Sequence, residues 1–475
     1  MKVLLATPRD PWRAGDGGVE RVVSRLAELL ARSGAEVVVC CGRLEQGEAR
    51  PRREERELAA GGRVAVVEIA RPDLHHDHWQ KSLSARVGRA FEDLVAAERP
   101  DVVHVQHWLR LSRDLVFRAA RQVAPAVASV HDHHASCDLS FRVQPSGQGP
   151  CAAKSGVAPC VACADLVPPR AHWLPTEARW TEHALRRHDL VRELKLARVV
   201  FAPTRAHAEL LRRHLAPDLE GLSFDVLGQP PPRLARLAPA DPSGALRVAF
   251  VGRLAREKGI DWLLEAVELA ARRAPLELHL VGGSGDEGAE ARLAARLAGL
   301  GAVEGLRVVH HGAYEASRLD AHPALVACHV VALPSLAQES QGLVLDECLQ
   351  LGRPVLLSDL PAWRERVESW GAAGACRFVA PGDAAALSDE LARLARDEDA
   401  RVALAAAAPR QRAVEVEEAA WLAAHLAAYE RAAAAGAPAA SARGEGWYEE
   451  RMRTFAEEQW DAALSRSTLA QLGLD

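Results

Sequence analysis

The stretch that decides the reading is residues 331–361, VALPSLAQESQGLVLDECLQLGRPVLLSDLP. The apolar run Val330 to Leu333 stops at Pro334-Ser335, and a second run, Val355 to Leu357, begins after Gly352-Arg353-Pro354. Short apolar runs bounded by turn residues predict strands of a parallel sheet buried on both faces. Between them Gly342 to Leu351 predicts a helix, with Glu339, Ser340, Gln341 and Gly342 leading into Leu343 and Val344. The N–H groups of a helix start have no partners inside the helix and suit a negatively charged or hydroxyl-rich ligand. Open parallel sheets hold their ligands at this edge.

Glu339 precedes the helix and Glu347 lies inside it, so the two cannot act as a pair on one helical face. Their spacing suits two carboxylates spread along an extended ligand, each accepting hydrogen bonds from the hydroxyls of a different sugar ring. Taken alone, they read as a helix N-terminal charge and a solvated one. A second stretch shifts that balance. Val248-Ala-Phe-Val-Gly-Arg-Leu-Ala-Arg-Glu-Lys-Gly259 ends a buried strand at Gly252 and sets Arg253 and Lys258 at the same crevice. Glycine lets the backbone approach closely, Arg253 can grip an anionic oxygen pair, and Lys258 adds a mobile point charge, which together make a diphosphate site.

The run strand-G-R-L-x-x-E-K-G, followed from Glu339 on by E-x-x-G-L-V-L-x-E-x-x-x-x-G-R-P-V, resembles the retaining nucleotide-sugar glycosyltransferases of carbohydrate-enzyme family four. The resemblance implies an α/β chain of GT-B fold: two Rossmann-like doubly wound domains facing across a cleft, with a C-terminal helical extension. It implies transfer of a sugar from a nucleoside diphosphate sugar, a UDP sugar for instance, to the hydroxyl of a glycan, glycolipid or small molecule, as in polysaccharide biosynthesis. The anomeric configuration is kept and the chemistry needs no metal. Arg253 and Lys258 then meet the diphosphate, Glu339 the donor sugar and Glu347 the ribose, with the helix start at Gly342, Leu343 and Val344 adding positive field.

At 475 residues and 49% hydrophobic content the chain suits two domains plus an extension. A net charge of −5 argues against wholesale nucleic-acid binding. No apolar run approaches the roughly 18 residues of a membrane span, and MKVLLATPRDPW carries too short an apolar segment for a signal peptide. A cytoplasmic protein is expected, with peripheral membrane contact still open.

Taken in order, residues 1–228 predict the first domain, 229–245 a proline-stiffened linker, 246–410 the second domain, 411–432 a helix that by resemblance crosses back to the first, and 433–475 a tail whose Trp447, Phe455 and Trp460 must pack somewhere. Strand and helix alternate throughout. Residues 45–60, charged and aperiodic, read as an exposed loop or short helix. After the first strand, a loop with Gly15, Gly17 and Gly18 opens a helix of period 3.6 but lacks the dinucleotide and P-loop spacings. By resemblance Gly17 and Gly18 close over the donor phosphates, while Glu20 reads as a helix N-terminal charge.

Strand Ala126 to Val130 delivers His131-Asp132-His133-His134 to the carboxyl edge. By resemblance His131 stands beside the reacting sugar, where an imidazole can orient a hydroxyl or support developing charge. His133 and His134 read as surface residues and Asp132 as a turn cap. In the second domain Gly282 and Gly283 end a strand and can admit the nucleotide, and the edge at His311 lies where the family holds the base. The family has Asn-Gly before its linker; Leu227-Gly228-Gln229 departs from that and is given no contact.

Cys137, Cys151, Cys160 and Cys163 crowd a Pro- and Gly-rich insertion at 134–170 that closes on C-x-x-C. Four thiolates complete a tetrahedral shell, so a structural zinc is expected, with two disulfides or four free thiols as alternatives. Disulfides fit a cytoplasmic chain poorly. Comparable insertions in the family imply a stapled loop over the acceptor cleft. Two other functions remain beside sugar transfer: a sugar-nucleotide epimerase of the same architecture, and a non-catalytic binding partner. Nucleoside diphosphate released only when acceptor is added would separate the three.

Overall fold

The computed structural model describes residues 1–13, 17–43, 51–59, 61–70, 83–144, 149–156, 160, 163, 176–284 and 287–439. The first domain contains β1 (Lys2–Thr7), β2 (Glu36–Arg43), β3 (Pro51–Glu57), β4 (Arg63–Ala70), β5 (Val102–Val105), β6 (Ala126–Ser129), β7 (Val199–Ala202) and β8 (Asp225–Val226). Among the described residues they form one sheet in the order β3-β4-β2-β1-β5-β6-β7-β8. Only β3 runs antiparallel, against β4. The helices are α1 (Gly18–Arg32), α2 (Ala85–Glu98), α3 (Leu115–Arg121), α4 (Thr176–Leu196) and α5 (Arg205–His214).

The second domain contains β9 (Leu246–Val251), β10 (Leu276–Val281), β11 (Leu306–His310), β12 (Val330–Leu333), β13 (Val355–Ser358) and β14 (Cys376–Val379), parallel in the order β11-β10-β9-β12-β13-β14. Its helices are α6 (Ile260–Ala271), α7 (Glu287–Leu300), α8 (Pro323–Ala327), α9 (Leu343–Leu351), α10 (Pro361–Trp370), α11 (Ala384–Arg396) and α12 (Glu398–Ala406). The strand order reverses between β9 and β12, and a crevice opens beyond the carboxyl ends of two strands at such a switch point. Gly252 follows β9 and Pro334 follows β12, so both decisive stretches end at that crevice.

The central strands of each sheet are buried on both faces, as their unbroken Val, Leu and Ala runs require. Val103, Val105 and Ala128 face one core of the first domain, and Val102, Val127 and Val199 face the other. The long helix α13 (Val414–Ala435) closes that second face. Its Trp421, Ala428, Tyr429 and Ala432 pack with Val3, Leu5 and Phe201. Burying each large apolar side chain there contributes roughly 1.5–3 kcal/mol. Arg25 of α1 donates to the carbonyls of Pro230 and Pro231 at 3.2 and 3.0 Å and to Glu418 of α13 at 2.7 Å, tying linker and crossing helix to the first domain.

Two local expectations change. Residues 51–57, PRREERE, form strand β3, not a loop or helix, because an exposed edge strand tolerates charge on both faces and is protected by it from further pairing. His133 and His134 are each 1% exposed and belong to the interior of the first domain, because α4 and α5 fold over their loop. Parts of the insertion at 134–170 and the tail at 445–475 lie outside the described residues. Among the described residues no helix is long and apolar enough to cross a membrane.

Candidate functional site

A cavity of about 350 Å³ opens between the two domains. Gly18, Arg21, His131, Asp132, Ser140, Phe141 and Pro203 form the wall from the first domain; Gly252, Arg253, Lys258, Tyr314, Ser335, Glu339, Gly342, Leu343, Val344 and Trp363 form the other, with Gln229 of the linker between them. A second cavity of about 510 Å³ shares Arg21, Gln229 and Leu343 with it and extends to Glu347, Arg25, Arg233 and Glu418. Arg253, Lys258 and Glu339 thus share one cavity, and Glu347 lies in the adjoining one.

The charges are already paired. Lys258 Nζ lies 2.7 Å from Glu339 Oε1, which also accepts from Ser335 Oγ at 2.9 Å. Arg253 bonds to Glu257 and stands 5.1 Å over the ring of Phe141, a residue of the cysteine-bearing loop. That loop touches the acidic one directly, since the Gln338 N–H donates to the Phe141 carbonyl at 3.2 Å. Ser340 Oγ donates to the His131 carbonyl, joining the two domains at the cavity floor. Arg21 of α1 reaches Glu347 Oε1 at 2.5 Å.

Gly342 begins α9 with φ of 81°, and a Cβ there would stand 2.1 Å from Trp363 Nε1. Backbone conformation and space both demand glycine, which brings the helix start against the cavity. Gly282 has φ of 149°, and its Cβ would meet the Gly252 carbonyl oxygen at 1.8 Å, so it serves the close approach of two strand ends. Gly17, Gly282, Gly283 and His311 fall outside the walls of both cavities. His311 Nε2 meets His279 Nδ1 at 3.0 Å and its ring stacks on that of His279.

His131 is half-buried, and its Nε2 lies 2.6 Å from Gln106 Oε1. Burial first, then the field of His107, lowers its pKa to about 3, so it is neutral near pH 7. Burial, the largest single influence, would raise the Asp132 carboxyl, but the field of His107, its Nε2 hydrogen bond at 3.3 Å, the field of His134 and the His134 amide at 2.7 Å together outweigh it. The group is held below the ordinary carboxylate range. Asp132 therefore caps its turn and also faces the cavity.

The four insertion cysteines are free thiols, each half-buried. Burial, then the fields of Cys137, Cys151 and Cys160, pushes the Cys163 thiol up to about 11, so the four share one neighbourhood. The Gly156 N–H points at Cys160 Sγ at 3.4 Å, and the N–H groups of Leu139 and Arg142 at the Cys137 sulfur. Among the described residues no three His, Cys, Asp or Glu side chains stand at metal-holding separations.

Arg21, Phe141, Gln229, Tyr314 and Trp363 escaped the sequence reading. For Arg21 a signal existed: a cation in the first turn of a helix opposes the macrodipole and needs another reason to be there. Gln229, set aside because Leu227-Gly228-Gln229 departs from the family pattern, lines both cavities. Its N–H donates to Gln341 Oε1 at 2.8 Å.

Two family profiles match the chain: "Glycosyltransferase Family 4" over residues 16–219 and "Glycosyl transferases group 1" over residues 245–397. A search of curated proteins finds no match. Among solved structures, a sucrose-phosphate synthase from Thermosynechococcus elongatus superposes with a TM-score of 0.64 at 20% identity, covering 92% of this chain and 100% of that one. HepE from Anabaena, in complex with UDP, gives 0.57 at 17% identity over 90% of this chain and 100% of that one. The catalytic domain of starch synthase IV from Arabidopsis thaliana, bound to ADP and acarbose, gives 0.57 at 14% over 91% and 99%. With one profile on each sheet and this architecture between them, the chain belongs to the group 1, family 4 glycosyltransferases and has the GT-B fold.

Proposed function

We propose that the protein moves a sugar from a nucleoside diphosphate sugar to an acceptor hydroxyl with retention of anomeric configuration. One observation carries this reading: Arg253, Lys258 and the start of α9 converge on a single cavity between the domains. That combination suits a departing diphosphate. The donor runs from the 350 Å³ cavity, with its sugar at Glu339, to the adjoining one, with its ribose at Glu347. The solved structures of HepE with UDP and of starch synthase IV with ADP support such a ligand.

In the transfer step the bond from the anomeric carbon to the diphosphate oxygen breaks while the acceptor oxygen attacks from the same face, and the acceptor proton passes to the departing diphosphate. No carboxylate is assigned as a nucleophile. Arg253 and Lys258 stabilise the charge that develops on the leaving group, and two cations with a helix terminus supply what the chemistry needs without a metal. His131 faces the reacting sugar, and the loop carrying Ser140 and Phe141 borders the acceptor side. The four thiols of that loop are proposed to take one structural zinc: N–H groups aimed at the Cys137 and Cys160 sulfurs favour thiolates, and the loop has little core of its own.

The test is to incubate the protein with UDP-glucose and other sugar nucleotides and measure free nucleoside diphosphate with and without an acceptor. Release that depends on acceptor supports transfer. Turnover of the donor without release, or thermal stabilisation by donor with no reaction under any acceptor, would sink it.

A further inference from the structure

On β5 the alternation of a strand turns Val102 and His104 to the face covered by α13, and Gln106 continues that series past the strand end. On β6 Val127 and Ser129 turn the same way, and His131 follows them. Polar side chains enclosed in such a face must satisfy one another. His131 Nε2 meets Gln106 Oε1 at 2.6 Å. Gln106 Nε2 meets His104 Nδ1 at 3.0 Å, His104 Nδ1 meets Tyr429 Oη of α13 at 2.7 Å, and His104 Nε2 meets Ser129 Oγ at 2.8 Å. Gln106 is 1% exposed, and His104 and Tyr429 are 0% exposed. The chain therefore runs without solvent from the helix that closes the first domain to the cavity wall.

An amide oxygen only accepts, so the contact at 2.6 Å places a proton on His131 Nε2. In a neutral imidazole that leaves Nδ1 as an acceptor for the cavity. We propose that Gln106, itself held by His104, which Tyr429 anchors in turn, is a positioning residue that fixes His131 in the Nε2–H tautomer, so that His131 meets the donor sugar by accepting a hydroxyl hydrogen bond through Nδ1. The sugar contact rests on the sugar-transfer reading; the tautomer does not. The groups whose fields act on His131 are His107, Asp132, His207 and His425, and the Lys258–Glu339 pair shares its cavity. None of them hydrogen-bonds Nε2 in place of Gln106.

Nitrogen-15 NMR of histidine-labelled protein without ligand reads the tautomer directly, with the His131 signals assigned by their loss in His131→Gln. The wild type should show a protonated Nε2 and an unprotonated Nδ1, and Gln106→Met should turn this into a mixture of tautomers. UDP release from UDP-glucose should fall about tenfold in kcat in Gln106→Met, the loss expected for one neutral hydrogen bond, with KM for UDP-glucose little changed. Gln106→Glu sets a carboxylate against the imidazole and raises its pKa. The neutral acceptor is then lost at higher pH, so the acid limb of the rate profile moves upward. A wild-type His131 carrying its proton on Nδ1, or signals and acid limb unmoved in both variants, overturns the proposal. If Gln106→Met does not fold, the wild-type spectrum still decides the tautomer. Absence of UDP release together with the expected spectrum faults the sugar-transfer reading and leaves the tautomer assignment standing.

Discussion

Arg21 Nη1 of the first domain and Glu347 Oε1 of the second lie 2.5 Å apart, an ion pair spanning the cleft beside the cavity proposed for the donor. Glu347 is 1% exposed and sits in α9, so the pair orients its carboxylate from across the cleft. A ribose that binds there hydrogen-bonds to a charged group, worth about 1.5–3 kcal/mol. Glu347→Gln should therefore raise KM for the sugar nucleotide by roughly ten- to a hundredfold and leave kcat nearly unchanged, because the ribose is remote from the bond that breaks. Initial-rate kinetics check this. A fall in kcat at unchanged KM would move Glu347 to the reacting end of the donor.

Lys258 and Arg253 should not count equally. Lys258 is anchored by Glu339 at 2.7 Å with its side chain 33% exposed, whereas Arg253 is 44% exposed and pairs with Glu257 of its own turn. A preorganised cation is worth most where developing charge meets it, about 2.7–4 kcal/mol for one group. Lys258→Ala should lower single-turnover transfer by roughly 10²–10³-fold, and Arg253→Ala by less. Equal losses would show that Arg253 leaves Glu257 and closes on the diphosphate when donor binds.

Much of this site was legible in the sequence because it is built from strand ends. Gly252-Arg253 and Pro334-Ser335 had to meet at one crevice once β9 and β12 were placed as neighbours in a parallel sheet, and Glu339 came with them. The residues contributed by contacts between domains were not legible. Arg21 offered only the indirect signal of a cation in the first turn of a helix, which does not say what it meets, and Phe141 sits in a loop with no periodicity. His133 and His134 were read as exposed because local sequence carries no record of α4 and α5 folding over them. Strand β3 was missed for the converse reason: an edge strand with both faces wet shows no alternation.

That buried histidine cluster makes the first domain acid-labile. The rings of His133 and His207 lie 4.5 Å apart and those of His133 and His214 6.4 Å apart, all within the interior. Burial, the largest cause for each, lowers His207 to about 4 and His214 to about 3. Their folded pKa values lie below the unfolded value near 6.5, so between them the unfolded chain binds more protons. Their stabilisation is complete above about pH 6.5 and is lost as the pH falls towards 4. The melting temperature should drop over that window, and His207→Phe should reduce the slope by about one proton. His104, His134 and His425 act in the same sense, so the wild-type slope should exceed one proton. A melting temperature flat from pH 4 to 6.5 would contradict the burial of these rings.

The cysteine loop can be tested apart from the chemistry. Arg142 holds it from within, its Nε 3.3 Å from the Cys151 carbonyl, its Nη1 2.7 Å from the Ser136 carbonyl and its Nη2 3.7 Å from Cys151 Sγ. If a zinc completes the staple, its bonds of about 2.3 Å must draw the four sulfurs together, and the charge of the ion must strip protons from thiols that burial makes reluctant to ionise. Metal analysis should then find about one zinc per chain in the wild type and none in Cys160→Ser/Cys163→Ser. Chelation should lower the melting temperature of the wild type and not that of the variant. Because the loop carrying Ser140 and Phe141 borders the proposed acceptor side, loss of the staple should also weaken acceptor use, and because Phe141 stands under Arg253 it should loosen donor binding as well. Wild-type protein that holds no zinc, with chelator leaving its melting unchanged, would assign the loop to Arg142 and its carbonyl bonds alone.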